Sequence, residues 1–303
     1  MNRPPILGTR GSPLALAQAR MVAAALEAAH GWAEGTVRIL PVKTSGDRIQ
    51  DRPLAEVGGK ALWTKELDLA LLRGDTDLSV HSMKDVESER PDALAIAAML
   101  PRADVRDRLI GAPSIDALSQ GAVVGTSSPR RAAQLLRLRP DLQVVPIRGN
   151  VATRLNRLAQ GEVEATLLAA AGLDRLAIAA GVPISTDAML PAPAQAAIGA
   201  ECRADDETMR NLLGAINDAP TCAAVGAERA FARAIGGSCH SPVAALAVQG
   251  GDERLWLRAE ILGTDGAERV AGEVRFALGE SAAEALARDL LERAPPAVRG
   301  LFA

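Results

Sequence analysis

The sequence is poor in the residues that build metal centres, disulfide frameworks and aromatic binding surfaces. Its 303 residues include three cysteines, three histidines, three phenylalanines, three tryptophans and no tyrosine. The cysteines, Cys202, Cys222 and Cys239, form an odd set without a Cys-x-x-Cys pair, and no two histidines have His-x-x-x-His spacing. These patterns argue against a disulfide framework and against a zinc site, so we expect free thiols, no metal and organic chemistry.

The charge and the aromatic content of the chain also exclude some classes of binding partner. A formal net charge of −3 excludes a globally basic nucleic-acid binder, and six Phe and Trp side chains leave little on which bases could stack. Residues 1–5 lack the apolar core of a secretory signal, and Arg10 and Arg20 interrupt the Ala/Leu-rich stretch that follows. We expect a cytoplasmic protein that binds neither nucleic acid nor membrane and meets any anionic ligand in a local pocket.

Length and periodicity predict more than one domain. A chain of this length exceeds the size of one hydrophobic core, and strand and helix patterns alternate along it. We predict strands at 6–10, 37–42, 78–80, 94–98, 123–126, 142–147 and 165–170, and helices at 13–30, 64–73, 130–139 and 151–159. After a linker at 191–195, a smaller unit begins near Pro220, with two strands around Trp256 and Val274 and a helix at 281–293. The pattern indicates two similar α/β domains and a smaller α+β domain.

Two predicted helices begin with the same Ser-Pro device, at Gly8–Pro13 and at Gly125–Pro129. Serine is a good N-cap and proline suits the first helical position, so simple capping explains both. A helix N-terminus with added hydroxyl donors is also an anion site. Arg130 and Arg131 favour the second interpretation, because two cations in a first turn oppose the helix dipole unless an anion lies there.

The segment His81–Val86 places an acid, an ammonium and a hydroxyl where an apolar strand ends. Asp85 is either an ordinary acidic residue of a turn or a carboxylate that stabilises a cation formed during a reaction. For Lys84 and Asp85 to approach each other, the strand has to end near Met83, since strict alternation would point them to opposite faces.

Earlier in the chain, the polar segment 43–59 is longer than usual loops, which indicates a mobile lid or a surface insertion.

Together these segments resemble the porphobilinogen deaminase (hydroxymethylbilane synthase) family over essentially the whole chain. The resemblance lies in six ordered motifs, which are Thr9–Ala15, Val57–Lys60, His81–Val86, Val124–Arg131, Ile147–Arg154 and Gly236–Cys239. It implies a transferase of porphyrin and haem biosynthesis that joins four porphobilinogen molecules head to tail, releases ammonia at each step and hydrolyses the product to hydroxymethylbilane. It also implies a monomer with a dipyrromethane cofactor, attached through a thioether to Cys239.

The family's fold has two similar type II periplasmic-binding-protein-like domains and a small α+β C-terminal domain. Here we expect domain 1 at residues 1–99 and 197–216, domain 2 at 102–191 and domain 3 at 219–303. Four positions depart from the family's usual pattern. Glu56 stands where lysine is common, Trp63 where phenylalanine is usual and Glu87 where proline is frequent. In addition, Ala194-Gln195-Ala196 replaces a Gly-Gln-Gly run.

By resemblance, Asp85 is the catalytic residue. Carboxylates of cofactor and substrate would be held by cationic and hydroxyl side chains, namely Arg10, Ser12, Lys84, Thr126, Ser127, Ser128, Arg130, Arg131, Arg148, Arg154 and Arg175, with Ser82 and Lys60 nearby and Gln195 at a hinge. Any single arginine can also be a solvated surface charge, and Cys239 a small packed thiol.

Two rival functions fit part of the same evidence. A non-enzymatic binder of organic anions would also show two capped α/β domains, but it would need neither Asp85 nor Cys239. An enzyme that transfers other groups onto a carboxylated substrate would keep the arginines and change the chemistry.

Overall fold

The computed structural model describes residues 3–43, 64–237, 241–252 and 254–302. The chain divides into two compact units, one formed by Met1–Ala103 with Ala196–Cys222 and the other by Asp104–Gln195 with Ala223–Ala303. Lys60, Cys239, Glu56, Trp63 and nearly all of the predicted lid lie outside the described residues. The domain bounds expected from the sequence stay predictions.

Strands and helices follow one another along the described chain. The strands are β1 (Ile6–Arg10), β2 (Arg38–Val42), β3 (Leu78–Ser82), β4 (Leu94–Met99), β5 (Asp107–Ile110), β6 (Val123–Gly125), β7 (Gln143–Val145), β8 (Ala165–Ala169), β9 (Val182–Pro183), β10 (Ile198–Arg203), β11 (Val243–Gln249), β12 (Leu255–Leu262) and β13 (Arg269–Phe276). The helices are α1 (Pro13–His30), α2 (Lys65–Leu72), α3 (Pro129–Leu138), α4 (Val151–Ala159), α5 (Ala170–Arg175), α6 (Glu207–Gly214), α7 (Ala219–Ala234), α8 (Ala282–Arg293) and α9 (Pro296–Arg299).

The two units contain five-stranded sheets of the same topology. The first has the order β2-β1-β3-β10-β4 and the second the order β7-β6-β8-β5-β9. In each sheet the first three strands of the order are parallel, and the last two pairings are antiparallel. The matching order explains why the Ser-Pro device occurs twice, since β1 and β6 occupy equivalent places.

Helix α1 shows how the local sequence sets the ends of a helix that packs on the first sheet. The Ser12 side chain accepts a hydrogen bond from the backbone N–H of Ala15, and Pro13 occupies the first turn, as predicted. The helix ends at Gly31, whose φ of 64° is in the left-handed region that glycine tolerates. Val22 and Leu26 on its inner face are buried in one core with Leu7 and Leu78 of the sheet.

The C-terminal part has its own core around the antiparallel sheet β11-β12-β13. Phe231 of α7, Leu257 of β12 and Leu290 of α8 are fully buried in it. The predicted class, two similar α/β domains with a smaller C-terminal domain, is confirmed. Among the helices within the described ranges, none is long and apolar enough to cross a membrane.

Candidate functional site

Asp85 lies on a tight turn at the carboxyl end of β3. The strand ends at Ser82, as the sequence required, and residues Met83–Asp85 form a 3₁₀ turn. Met83 is buried, and its side chain lies so close to Gly199 of β10 that a Cβ there would clash. The turn is therefore packed against β10 through Met83, while Asp85 is exposed and Lys84 is half-buried.

One pocket brings together three of the predicted site residues, Arg10, Ser82 and Asp85. Because β1 and β3 are parallel neighbours, the residues that follow them meet at the same sheet edge. Ser12 lies at this edge too, as the cap of α1. The sequence analysis missed three polar residues that also line the pocket, namely Gln18, Thr64 and His81.

Gln18 is the clearest of these omissions. It is 2% exposed, and its side-chain amide and the Ser82 hydroxyl lie 2.8–2.9 Å apart in a reciprocal pair of contacts. A polar residue on the buried face of α1 was the signal that could have revealed it.

A buried polar network lies behind the pocket. The His81 Nε2 is 3.0 Å from Glu201 Oε2, and Arg90 donates to both carboxylate oxygens of Glu201, at 2.8 and 3.0 Å. Burial raises the pKa of Glu201, but hydrogen bonds and positive charge from His81 and Arg90 outweigh it and hold that pKa at about 2. Glu201 is thus ionised, and since a carboxylate only accepts, the His81 Nε2 must carry the hydrogen.

In the second unit, several candidates follow the ends of three neighbouring parallel strands. Thr126–Ser128 follow β6, Arg148–Asn150 follow β7, and Arg175 ends the helix after β8. The Ser127 hydroxyl donates to the Ile147 carbonyl at 2.8 Å and so ties two of these ends together.

The helices that start after these strands are capped as predicted. Ser128 Oγ accepts from the Arg131 N–H and Asn150 Oδ1 from the Thr153 N–H. Gly149 has a φ of 104°, and a Cβ there would lie 2.6 Å from Thr153, so the Arg148-Gly149-Asn150 turn requires glycine.

The arginines that follow these strands differ in surroundings. Arg154 donates to the Gly149 carbonyl at 3.0 Å, and Arg148 and Arg154 are half-buried. Burial, opposed by neighbouring Asp174, lowers the pKa of Arg175 to about 10. Arg175 therefore remains cationic at neutral pH.

Arg130 and Arg131 have a partner that the sequence analysis did not foresee. Their side chains are 3% and 7% exposed and reach Asp107 of β5, with nitrogen–oxygen distances of 2.8 and 2.7 Å. Burial raises the pKa of Asp107, but the two guanidinium groups lower it far more. The anion that offsets two cations in the first turn of α3 is therefore Asp107, so the inference that an external anion must lie there is not needed. Ligand binding by these two arginines stays a prediction.

Gln195 belongs to the same cluster. It is 1% exposed, and its amide donates to Asp107 Oδ1 at 2.9 Å and to the Val105 carbonyl at 2.8 Å. Its neighbours Ala194 and Ala196 have φ values of 61° and 71°. Glycine suits this left-handed region, and alanine is strained there by about 1–2 kcal/mol, which explains why the family's usual pattern has glycine at both positions.

Two thiols are within the described residues. Cys202 is buried and Cys222 half-buried, and both are free. Burial raises the pKa of Cys202 to about 11 and also raises that of Cys222. Neither is a reactive thiolate at neutral pH. Over the described part of the chain, no group of His, Cys, Asp or Glu side chains could hold a metal ion.

The chain was compared with solved structures, family models and curated relatives. Among solved structures, the second substrate binding domain of a putative amino acid ABC transporter from Streptococcus pneumoniae has a TM-score of 0.42 at 10% identity, covering 69% of this chain and 89% of that one. Two family models match, "Porphobilinogen deaminase, dipyromethane cofactor binding domain" over residues 6–211 and "Porphobilinogen deaminase, C-terminal domain" over residues 222–294.

Two curated relatives match nearly end to end. The chain is 56% identical to the porphobilinogen deaminase of Sphingopyxis alaskensis, over 100% of this chain and 98% of that protein. It is 51% identical to the porphobilinogen deaminase of Paracoccus denitrificans, over 95% of this chain and 94% of that protein. On these matches, the chain belongs to the porphobilinogen deaminase family.

Proposed function

We propose that this chain is a transferase that joins four porphobilinogen molecules head to tail, releases ammonia at each addition and then hydrolyses the product to hydroxymethylbilane. The observation that carries the proposal is the exposed Asp85 carboxylate, which shares one pocket with Arg10 and Ser82 at the ends of two parallel strands. A general anion binder would have no use for a carboxylate beside its arginine, because that carboxylate would repel the ligand.

Asp85 would stabilise a positive charge that forms and disappears in each addition. As an acid it gives a proton to the departing amine, and it is then ionised when the remaining pyrrole becomes cationic. A carboxylate about 4 Å from that charge stabilises it by about 4 kcal/mol at an effective dielectric constant of 20, against about 1 kcal/mol in water. The same group would accept the α-hydrogen after the next ring has attacked.

The growing chain accumulates carboxylates, because each pyrrole carries an acetate and a propionate. Arg148, Arg154 and Arg175 would hold them at the edge of the second unit, and Arg10 and Ser12 at the edge of the first. A guanidinium fork grips a carboxylate at two points, so arginine suits this task better than lysine. Lys60 and Lys84 would add single-point charges.

A dipyrromethane cofactor, joined through a thioether to Cys239, would supply the terminal pyrrole on which elongation begins. Its side arms are carboxylates, and the cationic and hydroxyl groups at the sheet edge of each unit fit that chemistry. The raised pKa values of Cys202 and Cys222 argue against attachment at either of them. Their free thiols suit a reducing compartment, and we place the reaction in the cytoplasm, with the protein as a monomer.

The mass of the intact protein tests attachment directly. Protein made in cells that produce porphobilinogen should exceed its sequence mass by two linked pyrrole units. Cys239→Ser should abolish the excess, and the matched Cys222→Ser should retain it. Incubation with porphobilinogen, followed by ammonia release and uroporphyrin formation, then tests turnover. An unmodified, folded protein that releases no ammonia would favour the anion binder.

A further inference from the structure

Arg90 occupies the centre of the buried network behind the pocket. It follows the Asp85 turn by five residues, and its side chain is 9% exposed. Besides Glu201 on β10, it donates to Asp68 on α2 at 2.5 Å and to Glu87 at 3.1 Å. One guanidinium therefore connects a helix, a strand and the segment that leaves the Asp85 turn.

The network holds both flanks of Asp85. Upstream, His81 is bound to Glu201, which is bound to Arg90; downstream, Glu87 is bound to Arg90 directly. The side chain of Asp85 makes no hydrogen bond or ion pair to the other residues that the structure describes. Its position is therefore set by the backbone of the turn, and that backbone is fixed through its two flanking side chains.

Electrostatics favours arginine at this position. Three carboxylates, Asp68, Glu87 and Glu201, converge on the guanidinium. Burial lowers the pKa of Arg90, but the hydrogen bonds and charges of Glu201 and Asp68 outweigh it and raise that pKa. Arg90 consequently stays charged, and its planar guanidinium donates hydrogen bonds to the three carboxylates in three directions at once. A lysine ammonium could keep the charge but could not reproduce this fixed geometry. The network also gives Glu87 a partner, at a position where proline is frequent in the family.

We infer that Arg90 is a positioning residue for Asp85, clamping the catalytic turn from both sides through Glu87 and through Glu201 with His81. The inference rests on the proposed function, since it assigns Asp85 to the reaction. It concerns the chemical step and leaves substrate binding to other residues.

The test compares Arg90→Lys with Arg203→Lys. Arg203 is a matched control in the same unit, because it donates to the carbonyls of Leu71 and Thr76 and to Asp206, and none of these contacts involves the Asp85 turn. A misplacement of about 1 Å costs up to about 100-fold in rate. We expect Arg90→Lys to lower kcat by about 10- to 100-fold with KM within about threefold, and Arg203→Lys to leave kcat within about twofold at a similar loss of thermal stability.

An Asp85→Glu background separates positioning from general stability. There the carboxylate is already displaced, so adding Arg90→Lys should lower kcat by less than about threefold. Equal losses in both backgrounds, or a kcat for Arg90→Lys like that of the control, would overturn the inference. Should Arg90→Lys not fold, Glu87→Gln weakens the downstream clamp by removing the charge that faces Arg90, and an unchanged kcat there would overturn it too. Wild-type protein without turnover would refute the proposed function instead.

Discussion

Replacing Asp107 by asparagine removes the only full negative charge that contacts Arg130 and Arg131 among the described residues. Asp107 accepts from Arg130 at 2.8 Å, from Arg131 at 2.7 Å and from Gln195 at 2.9 Å, and its side chain is 1% exposed. The amide oxygen of asparagine can accept from one guanidinium, but its NH₂ group faces the other. Two buried cations are thus left without a carboxylate in direct contact.

Breaking a buried ion pair by removing one partner costs about 3–5 kcal/mol, because the remaining charge stays desolvated. With a urea m value of about 2 kcal/mol per molar, we expect the unfolding midpoint of the second unit to fall by about 2 M. Trp256 can report this transition alone in a background where Trp32 and Trp63 are phenylalanine, since the chain has three tryptophans.

Asp104→Asn is the matched control. Asp104 lies 2.7 Å from Arg106, but these side chains are 25% and 45% exposed, so the pair contributes about 0–1 kcal/mol. A loss below about 1 kcal/mol for Asp107→Asn, or equal losses for both variants, would refute the view that Asp107 neutralises the two arginines.

Three further predictions concern the catalytic turn, ligand binding and acid stability. Asp85→Asn should fold and carry the cofactor, as intact mass reports, yet lose nearly all turnover; near-normal ammonia release would remove Asp85 from its role. Arg148→Leu should stop or slow chain growth, seen as enzyme species with fewer added pyrroles, whereas normal elongation would count against carboxylate binding there. Glu201 has a pKa of about 2 in the folded protein, against 4.5 normally, so the stability it provides is present above pH 4.5 and is lost as the pH falls to 2. Acid titration should therefore show the difference in unfolding free energy between wild type and Glu201→Gln shrinking over that range, and a constant difference would contradict it.

The sequence by itself determined the features that depend on neighbouring residues. Ser12, Ser128 and Asn150 cap the helices that follow them by accepting from the N–H three residues along the chain, and the β3 strand had to end near Met83. The motif residues also fell at strand ends, because parallel strands deliver the residues that follow them to one edge. These patterns were enough to predict the fold class, whereas the resemblance to the family assigned Arg10, Ser82 and Asp85 to one site.

Only the tertiary structure decided which residues that lie far apart in the chain contact each other. The antiparallel strands β5 and β10 went unpredicted because they are short or rich in small and charged residues, and only their neighbours make them strands. Arg130 meets Asp107 across 23 residues and Arg90 meets Glu201 across 111. Local propensity extends over about four residues, so whether an arginine faces a ligand or a buried carboxylate follows from packing that no nearby residue encodes.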